Sequence, residues 1–333
     1  FRSEQARMEI LRALTAEGTP IDKLSKFQSL MLYRGNSFED VLVKGNIRVW
    51  YSKSLSKQFA EVCKYPFQAD SAEIDFEGPP KKVLEVLNGD ISEDTNGLIR
   101  DFITEDMLAN LVLLAASTTY FKGEWEVPFD KGANRKMKFH NFDKSEETCE
   151  FMVAQRYISS IFYEEYSSVE LPFKGGDMSA ILILPNEEAD IISFAKGFDS
   201  EHYVELLNKY RGCLVNMKMP KFKFQKQFDL TNPLMSKGIS TAFSSESSPL
   251  SPCFDPPLEN AFITFLKHGA CIELNEKYVE AAGATAGGVG QTCAPPPKPK
   301  YIVFDRPFIF ILQDTKYHCP YFIGAVMDMN GLQ

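Results

Sequence analysis

The chain has 333 residues, 44% hydrophobic and 24% charged, so neither a disordered nor a collagen-like polymer fits. Its 36 basic and 45 acidic residues give a net charge of −9, which argues against nucleic acid or an anionic membrane as the main partner. The longest apolar runs, such as Ala180–Pro185 and Phe308–Leu312, have the length of strands and fall short of a membrane span.

The start, Phe-Arg-Ser-Glu, carries neither an initiator Met nor a basic-then-apolar leader and gives no cellular address. Apolar Met8, Leu11 and Leu14 predict a helix over Glu4–Leu14, and a second helix is expected over Ile21–Tyr33. Gly45–Tyr51 alternates as a strand. Lys81–Leu87 reads as helical, and Ala109–Lys122 as a buried strand. From Lys138 to Met219 the pattern is strand-rich: Tyr157–Tyr163, Ser168–Pro172, Met178–Leu184 and Leu214–Met219, interrupted by a helical Ile191–Tyr210. Further strands are expected at Ala270–Asn275 and Tyr301–Leu312. Helices early and strands late define an α+β class, without a linker that would separate two domains. Seven scattered cysteines read as mostly free thiols, and there is no Asn-x-Ser/Thr acceptor; both lean toward a reducing compartment.

Recognisable catalytic chemistry is missing from the sequence. There is no Gly-x-Ser-x-Gly elbow, His-Glu-x-x-His pair, phosphate loop or Cys-x-x-Cys. Cys293 has no neighbouring base, and His318–Cys319 lack ligand spacing. The expectation is a protein that is not an enzyme, with no cofactor and no metal. What does stand out is Val279–Lys300, a small-residue run followed by a proline block between two strands. A loop of about 20 residues in that setting is usually functional or disordered.

Three motifs carry a resemblance. Tyr120-Phe121-Lys122-Gly123-Glu124-Trp125, ending in Pro128-Phe129, resembles the third strand of the serpin main sheet and the turn after it. Glu273 to Thr285 (Glu-Leu-Asn-Glu-Lys-Tyr-Val-Glu-Ala-Ala-Gly-Ala-Thr) is similar to the serpin hinge. Phe304–Phe310 and Tyr321–Val326 resemble the family's C-terminal strands. The resemblance spans nearly the whole chain. It implies one serpin-like α+β domain over 1–333, with a large mixed central sheet, further sheets, surrounding helices and an exposed reactive-centre loop at about 276–300. Phe1–Leu14 looks like the family's third helix, so the two helices that usually come first are expected to be lacking or unrecorded.

The implied activity is suicide inhibition of a serine (alternatively cysteine) protease: the loop is cleaved and its first half enters the main sheet as a new strand. The alternative is a non-inhibitory serpin-fold binding or immunomodulatory protein, cleaved as an ordinary substrate. The implied hinge is Glu276, Lys277, Tyr278, Val279, Glu280, Ala281, Ala282, Gly283, Ala284 and Thr285. An inserted strand must alternate; with Val279 inward, the lone charge of Glu280 falls outward, and no proline occurs before Pro295. Two departures oppose insertion. Tyr278 and Val279 stand where the family usually has Gly-Thr, which costs about 1–2 kcal/mol if the first position needs φ > 0. Gly283, Gly287, Gly288 and Gly290 together cost about 2–4 kcal/mol in strand formation.

Counting from Glu276 places the scissile bond at Thr292–Cys293; counting back from Pro307 places it near Pro296–Pro297, a poor substrate bond. Thr292–Cys293 is therefore preferred, and Thr favours a small, elastase-like pocket. By the same resemblance Trp125, Lys221 (paired with Glu276), His268 and Ser117 support sheet opening, Ser117 replacing the Asn that usually partners the histidine. The helix over Ile21–Arg34 has only Lys23, Lys26 and Arg34, which argues against heparin. The resemblance also implies an extracellular monomer, with the cytoplasm as the alternative compartment.

Overall fold

The structure, a computed structural model, describes residues 4–14, 18–65, 67–274 and 298–329. In chain order the elements are α1 (Glu4–Ala13), α2 (Ile21–Asn36), β1 (Val41–Tyr51), α3 (Lys57–Lys64), β2 (Asp70–Glu73), α4 (Pro80–Asp94) and β3 (Leu113–Gly123). Then come β4 (Arg135–His140), β5 (Glu146–Phe162), β6 (Tyr166–Pro172), β7 (Met178–Pro185), α5 (Ile191–Gly197), α6 (Ser200–Lys209) and β8 (Arg211–Pro220). The last are β9 (Phe222–Asp229), α7 (Thr231–Ser236), β10 (Lys267–Leu274), β11 (Lys300–Val303), β12 (Phe308–Asp314) and β13 (Pro320–Val326). Two compact units are assembled from interleaved stretches: Phe1–Phe38, Leu42–Phe121 and Phe224–Ile272 in the first, and Glu39–Val41, Lys122–Lys223 and Glu273–Gln333 in the second.

A five-stranded sheet, built almost wholly from the first unit, runs β2-β1-β3-β10-β9. β3 and β10 are hydrogen-bonded neighbours. Helix α4 starts with Pro80 in its first turn, where the missing N–H is no loss, and buries Val83, Leu87 and Ile91 at four-residue spacing. That stripe packs in one cluster with Trp50 of β1, Leu114 and Ala116 of β3, and Cys271 of β10. Polar contacts fix the helix. Arg48 of β1 donates to both carboxylate oxygens of Asp94 at 2.7 and 2.8 Å, and Trp50 Nε1 donates to Asp90 at 3.0 Å. Gly269 in β10 lets the strand come close to its cover, since a Cβ there would stand 2.7 Å from Ile99 Cδ1.

The second unit holds an eight-stranded sheet in the order β11-β8-β5-β6-β7-β12-β13, with β4 also on β5. β7 and β12 are buried along their whole length, as the apolar runs Ala180–Pro185 and Phe308–Leu312 within them require. Helices α5 and α6 cover Ile161, Ile181, Ile183, Ile309 and Ile311 with Ile191, Phe194 and Leu206.

The structure corrects several boundaries. The helical segment over Ile191–Tyr210 is two helices, because Asp199 caps a fresh start by accepting from the Glu201 and His202 N–H groups at 3.0 Å each. The strand over Tyr301–Leu312 is split into β11 and β12 by the turn at Asp305-Arg306-Pro307. Helix α4 runs seven residues beyond Leu87, and β3 begins at Leu113 instead of Ala109. The α+β class stands.

Candidate functional site

Ser117 and His268, two of the residues expected to support sheet opening, lie on β3 and β10, which are neighbours in the five-stranded sheet. Ser117 and Thr119 alternate onto one face of β3. Both reach His268 on β10: Ser117 Oγ lies 2.9 Å from Nδ1, and Thr119 Oγ1 3.4 Å from Nε2. Ser117 is shorter than the Asn expected there, yet it spans the seam. The His268 ring also stacks on Phe228 of β9, with 6.4 Å between centroids and 17° between planes. One side chain thus ties three strands. Between the two hydroxyls, Thr118 points to the opposite face, where its Oγ1 is buried with no hydrogen-bond partner among the described residues. An unsatisfied hydroxyl of this kind costs about 1–3 kcal/mol.

Burial holds the His268 pKa below its ordinary 6.5, outweighing a hydrogen bond to the Ser117 backbone that acts the other way. With the folded value depressed, the unfolded chain binds a proton first as pH falls, so the contribution to stability is present above 6.5 and is lost progressively below it. The urea midpoint should therefore drop between pH 7.5 and 5.5, and His268→Gln should make that drop measurably smaller. An unchanged pH dependence in the variant would remove His268 as the cause.

Trp125 and Lys221 lie in the second unit. Trp125 forms an antiparallel bridge with Phe173. Its indole stacks on the Phe173 ring at 4.6 Å and meets Phe129 edge-on at 5.9 Å. The adjoining Arg156 guanidinium sits 4.2 Å from the Phe129 ring centroid. Lys221 donates to Glu150 Oε2 at 2.8 Å, and this bond is the main reason the Glu150 pKa is lowered, with Asn134 second. Its expected partner Glu276, the rest of the hinge over 276–285, and the Thr292–Cys293 bond all lie outside the described residues. The structure thus joins Ser117 to His268. It adds Thr119, Glu150 and Arg156, which the motifs did not single out. Among the described residues no cluster of His, Cys, Asp and Glu is arranged to hold a metal. No described helix is long and apolar enough to cross a membrane.

The profile of the serpin (serine protease inhibitor) family matches residues 2–329, and the chain belongs to that family. A wheat relative, Serpin-Z2B of Triticum aestivum, is 31% identical over 289 residues, which cover 83% of this chain and 71% of the wheat protein. Human antithrombin-III is 26% identical over 331 residues, covering 97% of this chain and 71% of its own. Among solved structures, the thermophilic serpin tengpin in its native state superimposes with a TM-score of 0.85 at 21% identity, covering 98% of this chain and 83% of tengpin. Uncleaved ovalbumin gives 0.84 at 20%, with 98% and 88% covered. These matches establish the serpin fold for this chain, in a family made up mostly of protease inhibitors.

Proposed function

We propose that the protein is a single-domain, monomeric serpin that inhibits a serine protease by loop cleavage and insertion, without catalysing a reaction of its own. The observation that carries this reading is the sheet order: β3 and β10 are direct neighbours, and the small-residue segment follows directly from the end of β10. A segment that folds back from β10 pairs antiparallel with it, and its far side is already occupied by β9. In this reading the new strand enters the β3–β10 seam, where parting costs the His268 contacts and frees the unsatisfied Thr118 hydroxyl to rearrange.

In this reading Thr292–Cys293 is the bond cut, by a protease with a small or elastase-like pocket. Residues 276–285 lead the insertion, and the protein acts outside the cell. A second reading, cleavage without inhibition, draws on Tyr278 and the four glycines, which slow insertion and give the acyl-enzyme time to hydrolyse. Incubation with trypsin, pancreatic elastase and chymotrypsin separates the two. Inhibition yields an SDS-stable complex with one of them, and intact mass places the cut after Thr292. A clean cut with no complex and no gain in melting temperature leaves only the substrate reading.

A further inference from the structure

Helix α4 and the segment after it bridge the five-stranded sheet from one side of the β3–β10 seam to the other. The sheet runs β2-β1-β3-β10-β9, so β1 lies on one side of the seam and β9 on the other. On the β1 side α4 is bolted down by the paired bonds of Arg48 to Asp94, by Trp50 to Asp90, and by Asn46 Nδ2, which donates to the Asp94 carbonyl at 3.3 Å. On the far side the chain beyond α4 is held by β9 and β10. Gln225 Nε2 donates to the Leu98 carbonyl, Gln227 Nε2 to the Asp101 carbonyl at 3.4 Å, and Lys267 Nζ to the Phe102 carbonyl at 2.6 Å.

Strand alternation explains why these three side chains act together. Gln225 and Gln227 are two residues apart on β9, and Lys267 and Gly269 two apart on β10, so each pair shares a face. Phe228 and His268, on the other face of the same strands, stack on each other. The segment lies directly on the first face: a Cβ at Gly269 would stand 2.7 Å from Ile99 Cδ1, 3.2 Å from Phe102 Cε2 and 3.3 Å from Thr118 Cγ2. The Lys267 ammonium also lies 5.0 Å from the centroid of the Phe102 ring. Segment and helix are tied into one piece, because Asn88 of α4 accepts from the Phe102 and Ile103 N–H groups at 2.9 and 2.8 Å and donates to the Ile103 carbonyl at 2.9 Å.

A seam cannot widen while the strands on its two sides are fastened to the same bridge, so one end of the bridge must let go first. The β1 end is a bidentate ion pair to a buried carboxylate. The other end is two neutral amides on exposed side chains and one ammonium on a carbonyl, a weaker hold because water can replace each of these bonds. We propose that Gln225, Gln227 and Lys267 are positioning residues that form the releasable end of a clasp over the β3–β10 seam, and that their bonds set how fast the seam opens. The consequence for inhibition rests on the insertion reading above: the clasp slows insertion and leaves cleavage alone.

Native-state hydrogen exchange of the intact protein tests the clasp without any protease. In Gln225→Ala/Gln227→Ala/Lys267→Met the amides of β3 and β10 should exchange at least about tenfold faster than in the unaltered protein. Glu9→Ala removes a comparable set of bonds, to Ser240 and Thr241 in the same unit, and should leave those amides within about twofold. Equal protection in the triple variant, or equal acceleration in Glu9→Ala, overturns the proposal. Gln225→Ala/Gln227→Ala changes only exposed side chains and should give at least about a threefold acceleration, so it decides if the triple variant fails to fold. With a protease that the unaltered protein traps, the triple variant should complete insertion at least about tenfold faster after a single turnover of cleavage, at an unchanged cleavage rate. An unchanged insertion rate there overturns the role of the clasp in inhibition. An unaltered protein that traps none of the three proteases counts against the insertion reading alone, and the exchange result still decides the clasp.

Discussion

Arg48→Met should lower the unfolding free energy by about 3–5 kcal/mol, the cost of stranding a buried carboxylate. Asp94 is only 8% exposed, and Arg48 meets it with two parallel hydrogen bonds, the geometry in which a guanidinium is strongest. The bond to Asp94 is the main reason the Arg48 pKa is raised, with smaller contributions from the charges of Asp94 and Asp90. Asp90 in turn holds the indole of Trp50, so one arginine organises the whole polar edge of α4. Removing it leaves Asp94 out of water without a counter-charge. The double variant Arg48→Met/Asp94→Leu should recover most of the loss, because an apolar pair of similar volume is close to neutral. Urea unfolding of a Trp125→Phe background follows this directly, since Trp50 is then the sole tryptophan and is 1% exposed in the same cluster. A loss below about 1 kcal/mol would place the pair with ordinary surface bridges.

The same contacts show which parts of this protein its sequence could disclose. His268, in β10, and Trp125 and Lys221, beside strands, could be picked out because their aromatic and apolar neighbours form motifs that can be read locally. β7 was legible because a strand buried on both faces is an unbroken apolar run. The Arg48–Asp94 clamp joins residues 46 positions apart, and the Lys221–Glu150 bond joins residues 71 apart. Neither leaves a periodic trace, since each depends on which element packs against which. Ser117 reaching His268 depends on the β3–β10 register, a property of the assembled sheet. Some signals were present and went unread. Ser56 before Lys57 is an N-cap, its Oγ accepting from Phe59 N at 3.3 Å, and it marks the start of α3. Phe222-Lys223-Phe224 begins the alternation of β9, which the solvent-facing Gln and Lys residues then dilute.

Ala284→Pro should abolish complex formation while leaving cleavage intact, the largest functional effect expected from one substitution. An inserted strand between β3 and β10 has ladder partners on both sides, so each residue's N–H faces one neighbour or the other. Proline supplies no N–H, and in a central strand it is excluded for that reason; by the proline penalty in a regular element, the cost is about 3 kcal/mol or more. If that cost falls wholly on the insertion barrier, the step slows by about 100-fold or more. Hydrolysis of the acyl-enzyme does not depend on the sheet and keeps its rate. The cut itself also survives, because Thr292 is eight residues further on. The ratio of SDS-stable complex to free cleaved chain, read by gel and intact mass, should therefore collapse to cleaved chain alone. The cleaved variant should also fail to gain melting temperature, since its loop stays out of the sheet. An unchanged complex yield would mean that residue 284 never enters the β3–β10 seam, and the insertion reading would fall with it.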